Sequence, residues 1–137
     1  MTTIAVASTA HGDFAVDLES GEVEAWVGAA EPRAVAPPPE PILNLPRVVA
    51  AAVAGSTIAA VVDAKPPLLV SHDAGVTWRD SGRGLPAGRA VAISLGDPDL
   101  IVYAARNRLY VSRNGGRFWS ALDAELPEIT AVWLREA

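Results

Sequence analysis

Ser71-His72-Asp73-Ala74-Gly75-Val76-Thr77-Trp78 is the stretch whose reading decides the fold. It is a short polar turn between apolar residues: Leu68-Leu69-Val70 run into it, and Val76 and Trp78 close it. Forty-one positions later the same layout returns as Ser112-Arg113-Asn114-Gly115-Gly116-Arg117-Phe118-Trp119. A carboxylate or amide at the third position accepts hydrogen bonds from backbone N–H groups of its own turn. The glycine two residues on takes a backbone conformation that a Cβ disfavours. The tryptophan then lays a large apolar surface under the turn.

Repetition at this scale sets the architecture. Leu45-Pro46, Leu85-Pro86 and Leu126-Pro127 recur at spacings of 40 and 41, and Gly55 and Gly96 each stand 16 residues before the serine of a turn. Each unit divides into four short strands. In one unit they fall at residues 47–54, 57–64, 68–71 and 76–80; in the next, at 89–95, 100–106, 108–112 and 117–121. Gly55-Ser56, Lys65-Pro66-Pro67, Gly96-Asp97-Pro98-Asp99 and Arg106-Asn107 supply the turns between them. The Ala-rich run 49–54 has helix propensity, but its place in the repeat and its β-branched flanks make it a strand.

The N-terminal segment aligns with the second unit at an offset of 54, Thr3-Ile4-Ala5 falling on Thr57-Ile58-Ala59, Phe14 on Leu68 and Gly21 on Gly75. Its polar turn has decayed to Asp17-Leu18-Glu19-Ser20-Gly21-Glu22-Val23-Glu24, with Trp26 displaced by two. This unit starts at its second strand, while residues 129–134 read as a first strand with nothing after it. Residues 29–46 contain Pro37-Pro38-Pro39-Glu40-Pro41. Such a run favours polyproline II and cannot join a ladder, so a surface loop is expected there.

The turn resembles the Asp-box (BNR) repeat of sialidase- and sortilin-like proteins, whose pattern is Ser-x-Asp-x-Gly-x-Thr-Trp. The first copy matches at Ser71, Asp73, Gly75, Thr77 and Trp78; the second keeps Ser112, Gly116 and Trp119 but has Asn114 and Phe118 in place of Asp and Thr. The resemblance implies a β-propeller, with the box a structural turn between the third and fourth strands of a blade, remote from any active site. The expectation is a single all-β domain over residues 1–137, half of a propeller made of three four-stranded blades. Blade 1 takes residues 2–28 plus the first strand at 129–134, a proline-rich loop takes 29–46, blade 2 takes 47–82 and blade 3 takes 89–122. Three blades are too few to close a ring, and an open array leaves a bare strand edge. A homodimer closing one six-bladed propeller is therefore expected, two-fold symmetry being the commonest in oligomers. Its seam would be completed by exchange of residues 129–134 between the copies.

Composition narrows the function classes. A formal net charge of −5 opposes nucleic-acid binding, and the absence of cysteine removes disulfides, thiolate metal sites and thiol nucleophiles. Met1-Thr2-Thr3-Ile4-Ala5-Val6 lacks the form of a secretory leader, and the longest charge-free apolar run, residues 48–62, is too short to span a bilayer. A cytoplasmic location without membrane contact is the plain expectation. His11 and His72 fall at turns without metal-ligand spacing, so no metal and no cofactor are expected. Asp-box families include glycoside hydrolases, which work with two carboxylates facing the scissile bond. Asp63, Asp97, Asp99, Asp123, Glu125 and Glu128 are candidates by position, and no motif pairs them. The arginine trio and tyrosine nucleophile of the sialidase branch have no recognisable counterpart; Tyr103 and Tyr110 fall on strands, where they pack. Trp26 and Trp133 lie outside the boxes and would be the tryptophans free to stack on a sugar, although strand packing accounts for them equally. No catalytic residue is assigned. The favoured function is a non-enzymatic binding or scaffolding module taking a protein or glycan ligand at the channel mouth or top face. A glycan-acting hydrolase or its remnant and a carbohydrate-binding lectin are the alternatives.

Overall fold

Short runs of β-branched residues and alanine, punctuated by Gly and Pro turns, fold as twelve strands among the residues described by a computed structural model, 3–26 and 48–136. The proline-rich loop at 29–46 lies outside the described residues. The strands are β1 (Thr3–Thr9), β2 (Gly12–Asp17), β3 (Val23–Ala25), β4 (Val48–Ala54), β5 (Thr57–Val62), β6 (Leu68–Ser71), β7 (Arg79–Ser81), β8 (Ala90–Ile93), β9 (Ile101–Ala104), β10 (Leu109–Ser112), β11 (Ser120–Ala121) and β12 (Ile129–Glu136). They form three four-stranded antiparallel sheets, ordered β12-β1-β2-β3, β4-β5-β6-β7 and β8-β9-β10-β11. The chain is thus all-β, with the sheet arrangement of a partial propeller.

Order in space differs from order in the chain. The third sheet lies between the other two: β8 packs on β4 and β5 at one side and on β12 at the other. Alternation along β8 and β9 explains how one sheet serves both neighbours. Val91, Ile93, Ile101 and Tyr103 join the cluster shared with the second sheet. Ala90, Ala92, Val102 and Ala104 join the cluster shared with the first. Every residue of β8 and β9 is buried as a result, which is why these strands read as continuous apolar runs. Each large aliphatic side chain so buried contributes roughly 1.5–3 kcal/mol. Alanines at both seams (Ala5, Ala7, Ala52, Ala54, Ala59) leave room for the sheets to approach.

The C-terminal strand takes the first-strand position expected of it. β12 pairs with β1 of the same chain, from Thr3↔Glu136 to Thr9↔Ile129, with an irregularity between Ser8 and Thr9. The four strands of the first sheet are all supplied by this chain. Chain length permits this. Residues 26–47 separate β3 from β4 in the sequence, and a chain of 22 residues can span up to about 75 Å. That is enough to pass the intervening third sheet. Only residues 82–89 separate β7 from β8, whose sheets are neighbours.

The fourth strands are shorter than the sequence suggested, β7 starting at Arg79 rather than 76 and β11 at Ser120 rather than 117. Hydrogen bonds of the box hold the intervening residues in the turn, as described next. The second strand of that unit likewise ends at Val62, whose N–H donates to Pro67 O at 2.8 Å and closes the turn into β6.

Candidate functional site

The two box turns share one hydrogen-bond net. Ser71, buried at the end of β6, donates from Oγ to Asp73 Oδ1 at 2.8 Å and accepts from the backbone N–H of Asp73 at 3.3 Å and of Gly75 at 2.8 Å. Asp73 Oδ1 accepts from Thr77 N at 2.9 Å, and Oδ2 accepts from the Thr77 hydroxyl at 2.6 Å. Trp78 Nε1 donates to Gly75 O at 3.1 Å. At the second box Ser112 Oγ donates to Asn114 Oδ1 at 3.0 Å and accepts from Gly116 N at 2.8 Å, Asn114 Oδ1 accepts from Phe118 N at 3.0 Å, and Trp119 Nε1 donates to Gly116 O at 3.2 Å. The missing element is the threonine hydroxyl bond, which Phe118 cannot make. Backbone geometry repeats too: φ is 92° at Gly75 and 94° at Gly116, with Ala74 at 61° and Gly115 at 73° before them. The Thr77 hydroxyl, then the Thr77 N–H and the Ser71 hydroxyl, hold the exposed Asp73 carboxyl down at about 2.

The tryptophans differ in surroundings. Trp119 reaches across the seam to the second sheet, where Nε1 also donates to Ser81 Oγ at 3.1 Å. Ser81 in turn donates to Gly116 O at 2.6 Å, so a buried hydroxyl on β7 ties the second sheet to the third sheet's box. Trp119 meets the Tyr103 ring edge-on at 6.0 Å. Trp78 is half-buried and, among the described residues, bonds its own turn alone; no described sheet stands before it as the second stands before the third.

The first strands of all three sheets converge on an open groove of about 350 Å³. Val53 from β4, Ile93 from β8 and Trp133 from β12 line it, together with Ser94, Leu95 and Arg135. Leu95 is 82% exposed there and Val53 43%. Among the described residues Arg135 is the single ionisable side chain in the groove lining. Its guanidinium also lies 5.3 Å from the Trp26 ring centroid, a cation–π contact. Trp26 and Trp133 both bury Nε1, and neither finds an acceptor among the described residues.

None of the carboxylates singled out in the sequence lines this groove. Asp97 and Asp99 share the β8–β9 turn, Asp97 Oδ1 accepting from Asp99 N at 3.2 Å. Glu125 pairs with Arg108 at 3.2 Å and Glu128 with Arg89 at 3.0 Å; Asp63 and Asp123 are exposed elsewhere. Tyr103 is fully buried, its hydroxyl donating to Pro86 O at 2.6 Å, and burial pushes its phenol well above the ordinary range. His11 is exposed, as is His72, whose Nδ1 lies 3.5 Å from Thr57 Oγ1. Among the described residues no cluster of three or more His, Cys, Asp or Glu could hold a metal ion, and no helix is long and apolar enough to cross a membrane. The groove-lining residues of β8 and β12 carry no motif; Leu95, an aliphatic residue set against Gly96-Asp97-Pro98, was the one available signal.

No family model matches the chain, and no curated protein matches it. Among solved structures it is similar to the crystal structure of the GH74 enzyme of Niastella koreensis, at 21% sequence identity and a TM-score of 0.47. The match covers 91% of this chain and 18% of that one.

Proposed function

We propose that this chain is a non-enzymatic binding or scaffolding module of the Asp-box type, half of a six-bladed propeller that a second copy completes, with its ligand at the groove between β4, β8 and β12. The observation that carries the binding site is the groove's composition. It is concave, mostly apolar and bordered by one guanidinium, the character of a recognition pocket. Glycoside hydrolysis needs an acid and a second carboxylate across the scissile bond, and the described groove lining supplies neither. An apolar or aromatic side chain of a partner protein, with a neighbouring acidic group for Arg135, fits this lining.

Completion by a second copy rests on the inequality of the sheets. Three sheets leave the ring open, and Trp78 stands where a preceding sheet would cover it as the second sheet covers Trp119. The first sheet of a second copy is the candidate cover. With β12 paired inside its own chain, two half-rings need only dock. Exchange of residues 129–134 would build the same ring with the same strand register. A fluorogenic glycoside panel and a glycan array test the functional reading. No turnover is expected, and turnover lost on neutralising Asp97 or Asp99 would replace the binding module with a hydrolase.

A further inference from the structure

On the fourth-strand side, away from the β4–β8–β12 groove, β7 of the second sheet meets the box of the third in a second groove of about 290 Å³. Arg79, Arg83, Arg117 and His72 line it. Strand alternation fixes the aim of Arg79. It pairs with Val70, a member of the seam cluster, so it shares the face turned to the third sheet. Ser81, two residues on, points the same way and bonds Gly116 O. Asp80 borders the groove but pairs with Leu69, placing it on the other face of β7. The charged side chain that β7 turns toward the groove is therefore an arginine.

None of the three guanidinium groups has a hydrogen bond or ion pair among the described residues. The ion pairs there use Arg89 and Arg108, and Arg113 is occupied by Leu18 O at 3.1 Å. His72 turns its other edge toward the box: a Cβ placed on Gly115 would lie 3.1 Å from Cε1 and 3.3 Å from Nε2, with Asp99 Oδ1 of the β8–β9 turn also at 3.3 Å. Glycine at 116 lets the box backbone approach β7 closely, since a Cβ there would stand 3.0 Å from Ser81 Oγ and 3.3 Å from Val70 Cγ2.

We propose that this groove binds a small phosphate monoester through its dianionic phosphate. Guanidinium forks match phosphate oxygens in bidentate fashion, and three of them offer more donors than the two oxygens of one carboxylate accept. A phosphate ester carries about −1.5 to −2 charge at neutral pH, which suits three guanidinium groups without an ion pair among the described residues and outnumbering Asp80, the one carboxylate in the groove lining. The volume sits at the lower bound of small-ligand pockets, about 300 Å³. The chain as a whole carries −5, so a long polyanion would meet repulsion beyond the groove where a compact one does not.

Nuclear magnetic resonance titration of the ¹⁵N-labelled full chain tests this, at constant ionic strength, with inorganic phosphate and with glycerol 3-phosphate. Saturable amide shifts are expected at Arg79, Ser81, Gly82, Gly115 and Gly116 with both compounds, since the phosphate group is the determinant. R79Q and R117Q should each weaken binding about tenfold, whereas R89Q, which breaks an exposed pair elsewhere, should not. All three positions are exposed, and the same spectra report whether each variant folds. Failure to saturate through the millimolar range, identical shifts with chloride, or undiminished binding in R79Q and R117Q would overturn the proposal.

Discussion

Gly88 lies beneath the Tyr103 ring, and replacing it with alanine should be among the most damaging single-methyl additions in the chain. An added Cβ would collide with Tyr103 Cε1, Cζ and the hydroxyl oxygen. The backbone at Gly88 has no left-handed φ, so the whole cost is steric. The ring has nowhere to go: it is fully buried, its hydroxyl is held by Pro86 O at 2.6 Å, and Tyr110 and Trp119 stand at centroid distances of 6.1 and 6.0 Å. Overpacking a core costs typically 1–3 kcal/mol, and a ring pinned on three sides puts Gly88→Ala at the upper end, about 3 kcal/mol. For a domain of this size that lowers Tm by roughly 10 °C. A double-mutant cycle isolates the cause. Tyr103→Leu removes the clashing atoms, so Gly88→Ala should cost less than about 1 kcal/mol in that background by urea denaturation. Equal costs in the two backgrounds, or a neutral Gly88→Ala in the native one, would refute the packing argument.

Other perturbations address the boxes. Ser81→Ala removes the hydroxyl joining the second sheet to the third sheet's box; Trp119 keeps Gly116 O as an acceptor, so urea melts should show a loss of about 1 kcal/mol. Asp73 has a folded pKa of about 2 against an ordinary 3.8, so its stabilising effect is present above about pH 4 and fades as pH falls toward 2. Melts of Asp73→Asn should accordingly lose less stability than the native chain across that window, and parallel curves would remove the carboxylate from the account of the turn. Ala74 holds a φ of 61°, where L-residues are strained; Ala74→Gly should leave Tm unchanged or raise it, while Ala74→Val should lower it.

Local chemistry was legible in the sequence and long-range placement less so. The box nets at Ser71–Asp73 and Ser112–Asn114 follow from residues within a few positions of one another, so residue type alone announces them. Strand existence was legible for the same reason, while the fourth strands came out short because side-chain acceptors claim backbone donors that a ladder would use. The sequence aligned residues 129–134 as the first strand of the first sheet, and exchange between copies was the expectation; the register with β1 is the same whether the strand comes from its own chain or from a second one. Arg79, Arg83 and Arg117 are separated by up to 38 positions and meet only because the second sheet packs on the third. Gly88 carried no signal in the sequence; a glycine is needed there because the Tyr103 ring, 15 positions on, fills the space a Cβ would take.

Sedimentation equilibrium of the intact chain tests ring closure most directly. Closure by a second copy predicts one species of about 28 kDa, twice the 14.2 kDa chain, across the micromolar range, and dissociation when Trp78 is replaced by a charged residue. A stable, well-folded monomer of 14.2 kDa over the same concentrations would contradict it.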